Sequence, residues 1–210
     1  MFQEGIRDII SHVNRQKPAL DLFIVTGVCL NEEDARFILD NCRATHHILL
    51  NFEFPRTFQH DIKLSSSGFG CIHSHWLTID NLISLDCALI QLYGSEFTQQ
   101  DLNQFVKHWI AGANPRLEAL LIYRNLPENV LLNDLDIVDG VQFVQMDSTV
   151  RRPYLVKENM MPPCRVICCD GFDIERNDGA KATIYLVAEM FLFLVGPLPT
   201  SQWLEIDHHA

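Results

Sequence analysis

The residues of this sequence that could hold a metal ion lie in one short segment. Cys71, His73 and His75 alternate with other residues, and Cys87 follows nearby. Thiolate and imidazole are ligands that zinc prefers, but structural zinc sites usually take two closely spaced ligand pairs that converge as a tetrahedron. Because no second pair stands at a standard distance, we expect no zinc and no other cofactor. We interpret the segment as a polar loop beside a core tryptophan, Trp76.

Nucleophilic chemistry has a similarly weak basis. Cys164, Cys168 and Cys169 lie in an extended apolar run, CRVICCDG. Buried cysteine behaves as a small hydrophobic residue, and adjacent residues of a strand cannot easily point both thiols at one ion. The sequence contains no Gly-x-Ser-x-Gly, P-loop or Gly-x-Gly-x-x-Gly motif. A cysteine–histidine hydrolase or metalloprotein stays open as an alternative, but we expect no catalytic residue.

Composition restricts the classes of partner. The chain has 210 residues, 48% of them hydrophobic and 20% charged, and a net charge of −11. This acidity argues against nucleic acid and anionic membranes as partners. The N-terminus has no secretory pattern, and the longest apolar run, residues 184–195, is interrupted by Glu189. Seven cysteines without paired spacing indicate reduced thiols. We therefore expect a soluble domain of the cytoplasm or nucleus.

One stretch, residues 98–123, carries a complete helix signal. Thr98 and Asp101 have the spacing of a capping box, and Gly112 and Asn114-Pro115 end the helix. The apolar stripe of this helix consists of Leu102, Phe105, Val106, Trp109 and Ile110. Buried strands are predicted before it, at 88–93, and after it, at 117–123. Together they form a βαβ unit.

A similar unit precedes it, with a strand at 20–26, a helix capped by Asn31, and a strand at 48–54. When the sequence is aligned with itself at an offset of about 67 residues, Asn31 aligns with Thr98. We predict an α/β fold of irregular leucine-rich-like βαβ units, closed by a C-terminal antiparallel β-hairpin. That hairpin pairs 172–176 with 182–187 around Asp178-Gly179.

The remaining segments complete the predicted organisation. We predict a loop at 55–70, because Ser65-Ser66-Ser67-Gly68 is a loop signal, and a last strand at 190–195. Weaker patterns predict a short helix at 77–85, helical turns at 128–135, and strands at 141–146 and 152–156. The predicted domains are an N-terminal helical cap (1–19) that folds back on the first strand, the α/β domain (20–195) and a loosely attached tail (196–210).

The run DLNQFVKHW followed by NPRLEALLI resembles the core of the F-box-associated domain (type 2) of nematode F-box proteins. GFDIERNDGAKATI, residues 171–184, resembles the C-terminal hairpin of that domain, and HWLTIDNLISLDC, residues 75–87, resembles its lead-in. The resemblance covers roughly residues 76–195. Its signature residues, which we interpret as structural, are Thr98, Asp101, Leu102, Phe105, Lys107, His108, Trp109, Asn114, Pro115, Leu117, Phe172, Asp178 and Gly179.

This resemblance implies a non-catalytic module that recruits protein substrates to an SCF-type ubiquitin ligase, with a binding surface that the signature does not locate. The family places an F-box ahead of the domain. Residues 1–20 contain no Leu-Pro and one amphipathic helix (Ile6, Ile9, Ile10, Val13), so we expect no F-box here. SCF components would then be partners only if an F-box is supplied elsewhere. The alternative is a stand-alone interaction protein outside any ligase.

Overall fold

Five parallel strands form the first half of a large sheet. The computed structural model describes residues 3–15, 21–27, 31–42, 44, 46–125, 134–156, 164–187 and 189–196. The strands are β1 (Leu22–Thr26), β2 (His47–Asn51), β3 (Ser65–Cys71), β4 (Asp86–Ser95) and β5 (Ala119–Arg124). They lie side by side in chain order, and every neighbouring pair is parallel.

The second half of the sheet is antiparallel. Its strands are β6 (Phe143–Gln145), β9 (Phe172–Glu175), β10 (Lys181–Val187) and β11 (Met190–Val195). β11 pairs with β5, so the sheet runs β1-β2-β3-β4-β5-β11-β10-β9-β6 and ends at β6. Two further strands, β7 (Arg152–Val156) and β8 (Cys164–Cys168), form a separate antiparallel pair.

The helices cover one face of the sheet. They are α1 (Gln3–Arg15), α2 (Glu32–Asn41), α3 (Ile79–Ser84), α4 (Gln99–Ile110) and α5 (Asp134–Ile137). Ile38, Leu82 and Phe105 from the helices join strand residues in the larger hydrophobic cluster. On the opposite face, the β7–β8 pair adds Tyr154 and Cys168 to a smaller cluster. Burial of apolar side chains on both faces explains why the central strands are almost continuously apolar.

The structure confirms the α/β class in its coarse form, a large mixed sheet with helices and a small antiparallel pair. The units β1-α2-β2 and β4-α4-β5 are parallel, and β9 and β10 form the hairpin around Asp178-Gly179. The leucine-rich-like description is not confirmed. Residues 52–64, which connect β2 to β3, contain no helix, and the sheet becomes antiparallel beyond β5.

The predicted loop at 55–70 is wrong at its C-terminal end, because Ser65–Cys71 is an interior strand between β2 and β4. Its small residues serve close packing. A Cβ atom on Gly70 would lie 2.7 Å from the Cδ1 atom of Leu49 on the neighbouring strand. Ser66 is buried, and its hydroxyl donates to the Gly68 carbonyl at 2.9 Å. Small polar residues, which usually indicate loops, here fit a crowded parallel sheet.

Helix α1 packs against α2, and its Ile10 belongs to the same hydrophobic cluster as Val25 of β1. Arg7 Nε donates to Asp34 Oδ1 at 2.9 Å, and its guanidinium lies 5.3 Å from the centre of the Phe37 ring. Ile10 is 1% exposed. None of the helices among the described residues is long and apolar enough to cross a bilayer. The predicted turns at 128–133 and the tail beyond Gly196 lie outside the described residues.

Candidate functional site

The signature helix α4 begins with a complete capping box. The Asp101 amide donates to Thr98 Oγ1 at 3.2 Å, and the Thr98 amide donates to Asp101 Oδ2 at 2.8 Å. The pair satisfies two amides that have no partner inside the helix. Thr98 and Asp101 therefore determine where α4 starts.

The apolar face of α4 is fully buried. Its members in the core are Leu102, Phe105, Val106 and Trp109. The rings of Phe105 and Trp109 meet the Phe193 ring edge-to-face, with centres 5.3 and 5.1 Å apart. Lys107 and His108 lie on the exposed side of the same helix. The aromatic signature residues thus pack α4 onto β11.

Asn114 joins three elements after α4 ends. Its φ is 48°, in the left-handed region that asparagine tolerates better than most residues. Its side-chain amide donates to the carbonyls of Ile83 at 3.2 Å and Leu85 at 2.7 Å, at the end of α3. Pro115 is exposed and Leu117 is buried. The Asn114-Pro115 turn therefore ties the start of β5 to α3.

The hairpin between β9 and β10 docks on the end of α4. Arg176 donates to both oxygens of Asp178, at 2.9 and 2.8 Å, and Gly179 has the positive φ, 88°, that the turn requires. The Asn177 amide donates to the Ile110 carbonyl at 3.2 Å. Phe172, at the start of β9, is buried in the core. The two signature segments, far apart in sequence, are in contact.

The candidate metal ligands, all in the described part of the chain, form no group of three or more that could hold an ion. Cys71 ends β3, whereas Cys87 is paired with Ser66, five positions earlier on that strand. At the usual rise of a strand this separates the two cysteines by roughly 16 Å. Burial raises the pKa of Cys71 to about 12, so its thiol resists forming the thiolate that binds zinc. Trp76 packs against the rings of Phe54 and Phe58, as expected of a core tryptophan.

The cysteines in β8 and directly after it have different surroundings. Cys168, the last residue of β8, is buried against the large sheet, and burial raises its pKa to about 12. Cys169 is partly exposed, and its Sγ lies 3.8 Å from the Tyr185 hydroxyl. The side chain of Cys164 lies outside the described residues. Among the described side chains, Cys168 and Cys169 belong to no group of three or more possible metal ligands.

A groove at the far end of the sheet was not predicted from the sequence. It has a volume of about 790 Å³ and is lined by residues of β6, β9 and β10 and the segment before β6. The register places Val144, Asp173 and Thr183 in line across these strands. Arg152 of β7 donates to Asp173 and, at 3.0 Å, to Thr183. The hydrogen bond to Asp173 raises the pKa of Arg152, and it anchors the β7–β8 pair at the border of the groove.

The outer edge of β6, which pairs with no other strand of the described residues, borders this groove. The Met146 amide donates to the Gly171 carbonyl at 2.8 Å. In an antiparallel pair, successive residues direct their backbone N–H and C=O groups alternately towards and away from the partner strand. The backbone groups of Val144 therefore face β9, and those of Phe143 and Gln145 face away from it. Val144 is 70% exposed and Phe143 39% exposed. The sequence pattern predicted a strand here, but it contained no signal that this strand lies at an edge.

Comparison with known proteins identifies similar sequences. Residues 53–122 match the model of the family described as F-box associated. The chain is 29% identical over 178 residues to the Skn-1 dependent zygotic transcript 15 protein of Caenorhabditis elegans, a match that covers 80% of this chain and 47% of the relative. It is 28% identical over 69 residues to the F-box associated domain-containing protein sdz-33 of the same organism, covering 30% of this chain and 23% of the relative.

A further similarity is to the C. elegans E3 ubiquitin-protein ligase hecw-1, 31% identical over 90 residues, which covers 38% of this chain and 7% of the relative. The chain spans about half or less of the length of the curated relatives it matches. No solved structure shows significant similarity to it. The matched residues 53–122 contain β3, α3, β4 and α4, and most of β5.

Proposed function

The chain belongs to the nematode family of F-box-associated proteins of type 2, and on this premise we propose that it is a non-catalytic module that holds a protein target for an SCF-type ubiquitin ligase. The transfer of ubiquitin would be carried out by other subunits, in the cytoplasm or nucleus. The family description and the printed name of the relative sdz-33 support an F-box-linked role. A protein-binding role also suits a structure whose signature residues are engaged in packing.

The observation that carries the proposal is the outer edge of β6 beside the groove. Two residues of β6, Phe143 and Gln145, direct their amides and carbonyls away from β9. An extended segment of a target protein would pair with these groups as an added strand. Its side chains would alternate between the groove and solvent. The main-chain bonds would supply affinity, and the groove of about 790 Å³ would select the side chain that enters.

The state of the buried thiols supports a non-catalytic role. Burial raises the pKa of Cys42, Cys71 and Cys168 to about 12. The thiolate is the reactive form of cysteine, so these three thiols stay protonated at neutral pH. They serve as small hydrophobic residues of the core.

The experiment compares proteins captured by the purified chain and by a Gln145→Pro variant. Proline at this position removes an amide that faces away from β9, so the ladder of the sheet keeps its bonds. The matched control is Val150→Glu, which adds charge at an exposed residue that does not line the groove. We expect a set of proteins that the wild type and the control retain and the proline variant loses. Unchanged capture by Gln145→Pro would contradict binding at this edge.

A second measurement separates ligase membership from a stand-alone interaction role. The same captures are probed for adaptor and cullin subunits. Their recovery together with targets would place the chain in a ligase. Recovery of targets alone, from cells that make the complete natural protein, would favour the stand-alone alternative.

A further inference from the structure

A buried arginine at the carboxyl end of β5 has two side-chain nitrogens for which the described residues supply no partner. Arg124 is 7% exposed, and its Nε and Nη1 atoms are buried with no hydrogen-bond partner among the described residues. A guanidinium is always charged and has five N–H donors. Leaving such a group unpaired in the interior is costly. Native structures seldom retain that cost without a use for the group.

The surroundings of Arg124 are built by a bulge in β4. Tyr93 is paired with Tyr123, but the next partner of β5, Arg124, is paired with Ser95, so Gly94 is the extra residue. Gly94 has a φ of 69°, as the first residue of one common type of bulge does. Bulges of this kind redirect side chains and are frequent beside functional sites. Here the bulge brings the fully buried Ser95 level with Arg124.

Arg124 points towards the first turn of α4. It lies on the same face of β5 as Leu120 and Ile122, which belong to the core on the helical side of the sheet. Burial lowers the pKa of Arg124, and the negative charge of Asp101 partly opposes this shift. Asp101 is occupied in the capping box, since its Oδ2 accepts from the Thr98 amide at 2.8 Å and from the Thr98 hydroxyl at 2.7 Å. The charge of Asp101 acts on Arg124, but within the described part of the chain the Nε and Nη1 atoms of Arg124 bond to no carboxylate.

We propose that Arg124 binds an oxyanion, a carboxylate or phosphate group, where the carboxyl end of β5 meets the first turn of α4. Three features favour an anion here. The guanidinium matches the planar geometry of both oxyanions. The N-terminus of α4, a helix of 12 residues, carries a partial positive charge. Ligands of α/β sheets also bind outside the carboxyl ends of the parallel strands, and β5 is the strand at which this sheet changes from parallel to antiparallel.

The oxyanion has two possible sources, a free anion of the cell or an acidic side chain of a bound protein. Both use the same chemistry at Arg124. The site does not depend on the β6 edge, because β11, β10 and β9 lie between β5 and β6 in the sheet. Failure of target capture would therefore leave this inference standing, and failure of anion binding would leave the proposed function standing.

The test is calorimetric titration of the purified chain with inorganic phosphate and, separately, with N-acetyl-glutamate amide, at constant ionic strength. We expect saturable binding of one equivalent of at least one of them. Arg124→Met should abolish this binding. Arg124→Lys should weaken it roughly tenfold or more, because lysine lacks the planar fork. Binding of phosphate alone indicates a free anion, and binding of the glutamate derivative indicates a protein-borne carboxylate.

Arg116→Met is the matched control. Arg116 precedes the other end of β5, is exposed and pairs with Asp86 at 3.0 Å, so its loss should leave anion binding unchanged. Absence of binding by both anions, or equal binding by wild type and Arg124→Met, would overturn the proposal.

Thermal unfolding gives a second readout that a merely structural arginine would not produce. The unfolding midpoint of the wild type should rise with added anion, because the ligand binds only the folded chain. Arg124→Met should show no such rise, and in anion-free buffer its midpoint should equal or exceed that of the wild type. If the methionine variant does not fold, Arg124→Lys should show a reduced rise. The same rise in wild type and in the tested variant would contradict the assignment.

Discussion

The guanidinium of Arg176 lies 5.0 Å from the centre of the Trp109 ring and is held there by Asp178. Trp109 belongs to α4, and Arg176 directly follows β9 in the C-terminal hairpin. The contact joins the helical layer to the antiparallel half of the sheet. Only 10% of the Arg176 side chain is exposed. The cation–π interaction is therefore largely shielded from water, and such interactions are stronger when desolvated.

We predict that Arg176→Met lowers the free energy of unfolding by about 1–2 kcal/mol, because it removes the cation–π contact and the two bonds to Asp178. Urea unfolding at neutral pH measures the change. Arg56→Met is the control, since Arg56 forms an exposed ion pair with Glu96 and should change stability by less than about 0.5 kcal/mol. Equal effects of the two substitutions would show that the contact with Trp109 adds nothing.

Truncation of Phe105 should be severe. Its ring is fully buried against Phe193, so Phe105→Ala leaves a cavity and should cost about 3–5 kcal/mol and lower the unfolding midpoint by several degrees. Trp109→Ala should behave similarly. Lys107→Ala, on the exposed side of the same helix, is the control. An unchanged denaturant midpoint for Phe105→Ala would refute a central role for α4.

Two substitutions at Asn114 separate its two roles. Asn114→Gly keeps the left-handed backbone but loses the bonds to Ile83 and Leu85, and should cost about 1–3 kcal/mol. Asn114→Ala loses the bonds and also strains the positive φ, adding roughly 1 kcal/mol. Chemical denaturation of both variants gives the comparison. If Asn114→Gly and Asn114→Ala lower the free energy of unfolding equally, the backbone conformation at this position contributes nothing to stability.

The Asp178 carboxylate should give the hairpin a pH dependence in acid. Hydrogen bonds from Arg176 and from the Ala180 amide lower the pKa of Asp178 to about 2, from an ordinary value of 3.8. Because the folded pKa is lowered, the stabilisation is fully present above the unfolded pKa and is lost as pH falls through the folded one. Unfolding measured between about pH 4 and pH 2 should show this loss. In Asp178→Asn that component should be absent, and an identical acid profile would rule out the assignment.

We predict that the purified chain carries far less than one equivalent of zinc, because Cys71 and Cys87 lie about five strand positions apart. Elemental analysis of protein prepared without chelator measures the content. One tightly held zinc ion that disappears in Cys71→Ser would contradict this prediction.

The sequence by itself determined the elements that depend on local chemistry. Thr98 with Asp101 and Asn31 with Asp34 determine the starts of α4 and α2, because each pair forms its hydrogen bonds within four residues. Asp178-Gly179 determined the hairpin turn for the same reason. Apolar periodicity also identified the buried face of α4.

The tertiary structure alone decided which elements became neighbours. Ser65–Cys71 has the composition of a loop but lies between β2 and β4, where a Cβ atom at Gly70 would displace the Leu49 side chain of the neighbouring strand. β6 became an edge because, among the described residues, β9 is the one strand that pairs with it. Arg124 became a buried charge because a bulge in a different strand and the first turn of α4 surround it. These features depend on pairings between residues distant in sequence, which local patterns do not encode.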